Sequence, residues 1–160
     1  PGRCRGRSGI FCRATEGGGF VSTGSKGRLR VKQSICNACM SCQIYCATTK
    51  EGICAPTRSR VRIQLEPLTA RHRITLCRQC EKALCAEACP EGAITLSEDG
   101  SYWEIDYEKC TLCKECVEAC KLGAIRFDPE GDRIIKCDTC GGVPLCAQVC
   151  PTGALTWIEE

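Results

Sequence analysis

Beyond residue 60 the chain alternates apolar and polar residues in short runs, with glycine or proline close to most run ends. Arg60-Val-Arg-Ile-Gln-Leu65 has the two-residue period of a half-buried strand. The same pattern predicts strands over 93–96, 102–106, 124–127, 133–136 and 154–158. Asp99-Gly100 and Glu130-Gly131 are turn signals that join four of these into two hairpins. Helical stretches are short. Residues 86–89 suit a single turn, and a helix begun near Cys42 is expected to end within Thr48-Thr-Lys-Glu-Gly52. Pro67 marks a turn, and His72 and Cys54 read as loop residues. Residues 1–32, rich in Gly, Arg and Ser, show no period of either kind. The elements make an α+β chain, with an extended N-terminal arm over 1–33 and a folded part over 34–160.

Composition changes this picture. Aromatic residues are only 5% of the chain, so large side chains cannot build much of a core, whereas cysteine numbers 19 in 160 residues. Chains in that position lean on disulfides or metal. Sixteen of the cysteines fall into four blocks: Cys36, Cys39, Cys42, Cys46; Cys77, Cys80, Cys85, Cys89; Cys110, Cys113, Cys116, Cys120; and Cys137, Cys140, Cys146, Cys150. After the fourth cysteine a short phrase recurs, as Cys89-Pro-Glu-Gly-Ala-Ile94, Cys120-Lys-Leu-Gly-Ala-Ile125 and Cys150-Pro-Thr-Gly-Ala-Leu155. Glycine tolerates the positive φ that closes a helical turn, and Pro90 and Pro151 stop the helix from continuing.

Blocks one and three space their thiols two, two and three residues apart, as bacterial ferredoxins do around [4Fe–4S] clusters. Each of the four irons in a cubane needs one thiolate. Three close cysteines wrap one face of the cube, and the fourth thiol comes from another block. Four blocks therefore suit four clusters. Disulfides fit less well, because the cysteines repeat at short range, their number is odd and no signal region precedes them. Zinc would leave the middle thiol of each triplet without a role, and His72 is the only histidine. Cys4, Cys12 and Cys54 lack spacing partners and stay outside the ligand set.

The four-block order, with four residues between Cys80 and Cys85 and five between Cys140 and Cys146, resembles the four-cluster iron–sulfur subunits of anaerobic redox complexes. These belong to molybdopterin oxidoreductases, tungsten aldehyde oxidoreductase complexes, related benzoyl-CoA reductases and carbon monoxide dehydrogenases. The small subunit of the tungsten complexes is the nearest in plan, and the resemblance spans residues 34–158. It implies two ferredoxin-like dicluster modules with short helices and β-hairpins, in which blocks one and four interleave, as do two and three. By position, one cluster would take Cys36, Cys39, Cys42 and Cys150, and a second Cys137, Cys140, Cys146 and Cys46. A third would take Cys77, Cys80, Cys85 and Cys120, and a fourth Cys110, Cys113, Cys116 and Cys89. Spacing alone shows only that blocks are reciprocal; it fits a one-two, three-four pairing equally well.

Charge bears on partners. The chain is +3 overall, but residues 1–32 carry eight Lys/Arg and one acid, leaving the remainder at −4 before any cluster binds. The basic arm is expected to dock on an acidic partner subunit rather than on nucleic acid. No run of 18 apolar residues is present, so no membrane span is expected, and the protein is expected to be cytoplasmic. Lys82, Lys114 and Lys121 lie near ligands and could raise cluster potentials, with solvated surface the plainer role. Trp103, Tyr107, Phe127 and Trp157 are expected to pack rather than to relay electrons. No catalytic site or nucleotide loop is apparent. The expected role is electron transfer between a catalytic oxidoreductase subunit and a second donor or acceptor, in a hetero-oligomer. A freely diffusing polyferredoxin, or a subunit of a carbon monoxide dehydrogenase, hydrogenase or formate dehydrogenase, are the alternatives.

Overall fold

Period-two runs this short cannot build a broad sheet, and the described residues form four separate two-stranded antiparallel pairs. The computed structural model describes residues 27–69 and 71–159. Strand β1 (Gly27–Val31) opens it, followed by helix α1 (Ser41–Glu51) and the hairpin of β2 (Arg62–Glu66) and β3 (Arg71–Thr75). Then come the one-turn helix α2 (Leu84–Glu87) and the hairpin of β4 (Ile94–Leu96) and β5 (Trp103–Ile105). Helix α3 (Glu115–Ala119), the hairpin of β6 (Arg126–Asp128) and β7 (Arg133–Ile135), helix α4 (Leu145–Gln148) and β8 (Leu155–Glu159) complete it.

Three outcomes depart from the sequence pattern. Gly27–Val31, inside the segment read as an arm, is a strand paired with β8, with Leu29 buried. The strand has a close-approach glycine: a Cβ on Gly27 would lie 2.8 Å from the Trp157 ring. The rest of that segment, residues 1–26 with Cys4 and Cys12, lies outside the described residues. His72 is not in a loop but in β3, opposite Leu65. Helix α1 runs eleven residues and ends inside the expected stretch, capped by Gly52, whose φ is 71° and whose N–H bonds the Thr48 carbonyl at 2.9 Å. Strand β6 starts two residues later than its pattern suggests, because the Ala124 N–H is directed at the Cys120 sulfur, 3.4 Å away.

Helix α1 packs on α4, and α2 on α3. Two apolar centres result. Leu29, Val61, Ile63, Leu76 and Leu155 surround Cys42, Cys46, Cys77, Cys137 and Cys146, and Ile94, Ile125 and Ile134 surround Cys116. Trp157 packs on the first centre and Trp103 and Phe127 on the second, while Tyr107 is half-exposed and donates its hydroxyl to the Ile134 carbonyl at 3.0 Å.

With so little apolar mass, glutamine side chains do part of the joining. Gln33 donates to the His72 carbonyl at 2.7 Å and accepts from Ile74 N–H at 3.0 Å, as a neighbouring strand would. Gln43, 6% exposed, accepts from Ile63 N–H at 2.9 Å and donates to the Pro56 carbonyl at 3.3 Å, fixing β2 to α1. The Glu51 carboxylate, buried between Arg60 and Arg133, ties the end of α1 to β7. Replacing Gln43 by Leu strands one buried donor and one acceptor, an expected cost of about 1–3 kcal/mol. A lowered denaturant midpoint by far-ultraviolet circular dichroism would show it; an unchanged midpoint would mean that this bridge contributes nothing.

Candidate metal centres

The helices give the cysteine blocks a common frame. In every block the third cysteine is the second residue of a helix: Cys42 in α1, Cys85 in α2, Cys116 in α3 and Cys146 in α4. The longer gaps before Cys85 and Cys146 are taken up as loop ahead of the helix, so all four thiols are presented alike. The fourth cysteine follows near the other end of a turn. Cys120 caps α3, Cys89 and Cys150 lie one residue past the caps of α2 and α4, and Cys46 sits inside the longer α1.

Four cavities follow from this frame. Cys36, Cys39, Cys42 and Cys150 line the first, and Cys137, Cys140, Cys146 and Cys46 the second. Cys77, Cys80, Cys85 and Cys120 line the third, and Cys110, Cys113, Cys116 and Cys89 the fourth. Each cavity draws three thiols from one block and one from its partner, and all sixteen cysteines selected from the sequence lie in one of the four. Cys54 is exposed and lines none of these four. The cavities form a row: Cys146 of the second feels Cys42 of the first, and Cys137 of the second feels Cys77 of the third. All seventeen described cysteines are free thiols. Among the described residues, no three His, Cys, Asp or Glu side chains close on a single ion. Thiols spread round a cavity suit a body with an iron at each corner.

The backbone is bent to serve these thiols. Two residues after the first cysteine of each block, a non-glycine residue takes positive φ: Ala38 at 56°, Gln79 at 50°, Leu112 at 60° and Thr139 at 53°. Met40 and Lys114 do so again at 60° and 68°, just ahead of α1 and α3. Such residues cost about 1–2 kcal/mol each, and the left-handed turns point successive N–H groups into one concavity, a form suited to anions and iron–sulfur groups. Ala38 and Thr139 donate to the sulfurs of Cys36 and Cys137, each at 3.4 Å. None of this is legible from the sequence, since Ala, Leu, Met and Thr carry no left-handed signal. The glycine signal is legible. Gly92, Gly123 and Gly153 have φ of 57°, 60° and 66°, and the turns they make aim following amides at the fourth thiol. Ala93 donates to Cys89 at 3.3 Å, Ala124 to Cys120 at 3.4 Å and Leu155 to Cys150 at 3.5 Å. Cys46 has no such tail and receives Arg60 N–H at 3.3 Å instead.

Burial pushes the thiols of Cys42 and Cys116 up to about 11 and that of Cys146 to about 12, and raises Cys137 well above the usual thiol range. Burial also raises Cys85 and Cys140, against the pull of Lys136 and Lys50. At Cys150 burial is outweighed by hydrogen bonds from Leu155 N–H and Thr152, and the thiol is held low. Four thiolates cannot share such a cavity without a cation, so metal binding and thiol deprotonation are one event. One thiol per corner, with amides directed at sulfur, fits a [4Fe–4S] group.

A family model described as a 4Fe-4S dicluster domain matches residues 69–160. The chain belongs to this family. The match takes in cysteine blocks two to four, and block one lies before it. The β subunit of the NADH-dependent phenylglyoxylate dehydrogenase of Aromatoleum evansii is 37% identical over 127 residues. That alignment covers 77% of this chain but only 28% of the relative. The polyferredoxin-like subunit of an aliphatic sulfonate oxidoreductase of Pyrococcus furiosus is 34% identical, over 72% of this chain and 66% of its own. The electron transport protein HydN of Escherichia coli K12 is 34% identical, over 79% of this chain and 85% of its own. Among solved structures, the active-site complex BamBC of benzoyl coenzyme A reductase with benzoyl-CoA has a chain of similar fold. Its TM-score is 0.50 at 22% identity, covering 84% of this chain and 80% of that one.

The glycine tails give a direct test. A Cβ on Gly123 would meet nothing within 4 Å, so Gly123→Ala is strained by its positive φ alone. The expected cost is about 1 kcal/mol, with Gly123→Asn closer to wild type. Faster chelator-driven iron loss from the alanine variant than from the asparagine variant is the expected result. Equal rates would show that the turn does not steady Cys120.

Proposed function

We propose that the chain is a non-catalytic electron-transfer subunit holding four [4Fe–4S] clusters, one in each cavity, with the sixteen lining cysteines as ligands. The observation that carries this reading is the exchange of one cysteine between paired blocks, repeated in two modules, which leaves four cavities in a row. A [4Fe–4S] group supplies one-electron storage at the potential its surroundings set. The protein's part is to hold neighbouring sites one helical turn apart, to shield them with the two apolar centres, and to direct amides at the sulfurs. Access is greatest at the two ends of the row, where Cys39 and Cys113 are exposed, and at Cys80 of the third cavity. Electrons would enter at one end and leave at the other.

The host we infer is a tungsten- or molybdenum-pterin oxidoreductase of the aldehyde oxidoreductase type. Support comes from the four-block resemblance and from the Pyrococcus relative, which is the polyferredoxin-like subunit of an oxidoreductase. The basic N-terminal segment would dock on the partner. No helix among the described residues is long and apolar enough to cross a membrane. The second reading, a diffusing polyferredoxin, draws on the Escherichia coli relative, an electron transport protein.

Anaerobic isolation from the native cell tests both parts. Near sixteen irons and sixteen sulfides per chain, with a catalytic subunit co-purifying, are expected. Zinc without sulfide would overturn the cluster reading. A fully loaded monomer that reduces several enzymes in turn would overturn the subunit reading.

A further inference from the structure

The three lysines singled out by their nearness to ligands, Lys82, Lys114 and Lys121, are all exposed. Lys136 is 5% exposed. It follows β7 directly, immediately before Cys137. Its ammonium donates to the Trp103 carbonyl, to the Cys137 carbonyl at 3.1 Å and to Gln79 Oε1 at 3.4 Å. Gln79 in turn is fixed, accepting from Trp103 N–H at 2.9 Å and donating to the Cys137 carbonyl at 2.8 Å. These acceptors orient the ammonium, but all are neutral.

Among the other buried or half-buried cations, Lys50 has Asp138 at 2.5 Å, Arg58 has Asp128 at 3.1 Å, and Arg60 and Arg133 share Glu51, while Arg62 and Arg126, only half-buried, have no carboxylate among the described residues. No ion pair among the described residues involves Lys136. A buried ammonium without a counter-charge is costly. Its surroundings show where that charge belongs. Lys136 lines the third cavity together with Cys77, Cys80, Cys85 and Cys120.

We propose that Lys136 is the buried counter-charge of the cluster in the third cavity and raises that cluster's reduction potential. This rests on the four-cluster reading above. Four thiolates make the oxidised site about −2, and one added electron makes it about −3. A fixed positive charge at the wall favours the more negative state. The effect is confined to one site. In the second cavity Lys50 is paired with Asp138 and Arg60 with Glu51, no charged residue lines the first, and Lys114 at the fourth is exposed and over the Phe127 ring. The third cluster becomes a low point in the row, where an arriving electron rests.

The test is a redox titration of the anaerobically isolated, cluster-loaded protein, followed by electron paramagnetic resonance. The third cluster is marked by the signal that Cys85→Ser removes, a ligand that both pairings of the blocks assign to it. Lys136→Met is expected to keep full iron and sulfide and to weaken reduction of that cluster alone by about tenfold, or about 59 mV for one electron. Lys136→Arg, which keeps the charge, is expected to leave the potential near wild type. Full loading with all four potentials unchanged in Lys136→Met, or a shift in a different cluster, would overturn the proposal. Should Lys136→Met lose iron, Gln79→Glu carries the test by placing a carboxylate beside the ammonium, and the same fall is expected. Full loading without a fall, or iron loss in both variants, would make Lys136 a structural pin and overturn the proposal. Wild-type iron and sulfide counts test the four-cluster reading separately.

Discussion

The structure depends on one constraint: a single turn of helix with a thiol near each end, the two thiols serving different cavities. Cys42 and Cys46 are four residues apart on α1, about 6 Å along its axis, yet they line the first and second cavities. The same holds for Cys85 and Cys89, Cys116 and Cys120, and Cys146 and Cys150. No block can complete a cavity alone, so α1 must pack on α4 and α2 on α3. The helices set the spacing of the row, and the row gives the fold its axis.

The apolar centres are small because they need only surround the thiols. Val61, Leu76, Ile125, Ile134 and Leu155 are nearly fully buried, but several core positions are cysteines whose chemistry is incomplete without metal. That explains why left-handed residues such as Ala38 and Leu112 are tolerated beside the ligands: metal binding offsets a backbone cost that a dry core could not. It also explains the joining glutamines and the Glu51 pairs. They supply specific contacts between segments at places where large side chains are missing.

The sequence made the site more legible than the fold. Cysteine spacing marks the ligands directly, since the chemistry demands the residue type, and the Gly-Ala phrase marks the turns after Cys89, Cys120 and Cys150. The hairpins of β4 with β5 and β6 with β7 were legible through alternation and their Gly100 and Gly131 turns. Strand β1 had a legible alternation, Arg28-Leu29-Arg30-Val31, obscured by the irregular residues before it, whereas β3 was hidden for a physical reason. Each is held by edge pairing, β1 to β8 and β3 to β2 and Gln33, and β3 has charged or polar residues at Arg71, His72 and Arg73 where alternation would need an apolar face. The end of α1 was legible in Gly52, which caps it with positive φ. Lys136 was hidden because nothing in a linear sequence distinguishes a buried lysine from an exposed one.

Interlocking by exchange is the central claim, and Cys120→Ser tests it most directly. Cys120 lies in block three by sequence but lines the third cavity with block two. Magnetic resonance of the loaded variant should show the cluster of Cys77, Cys80 and Cys85 lost or altered, with that of Cys110, Cys113 and Cys116 intact. Loss confined to the block-three cluster would contradict the account.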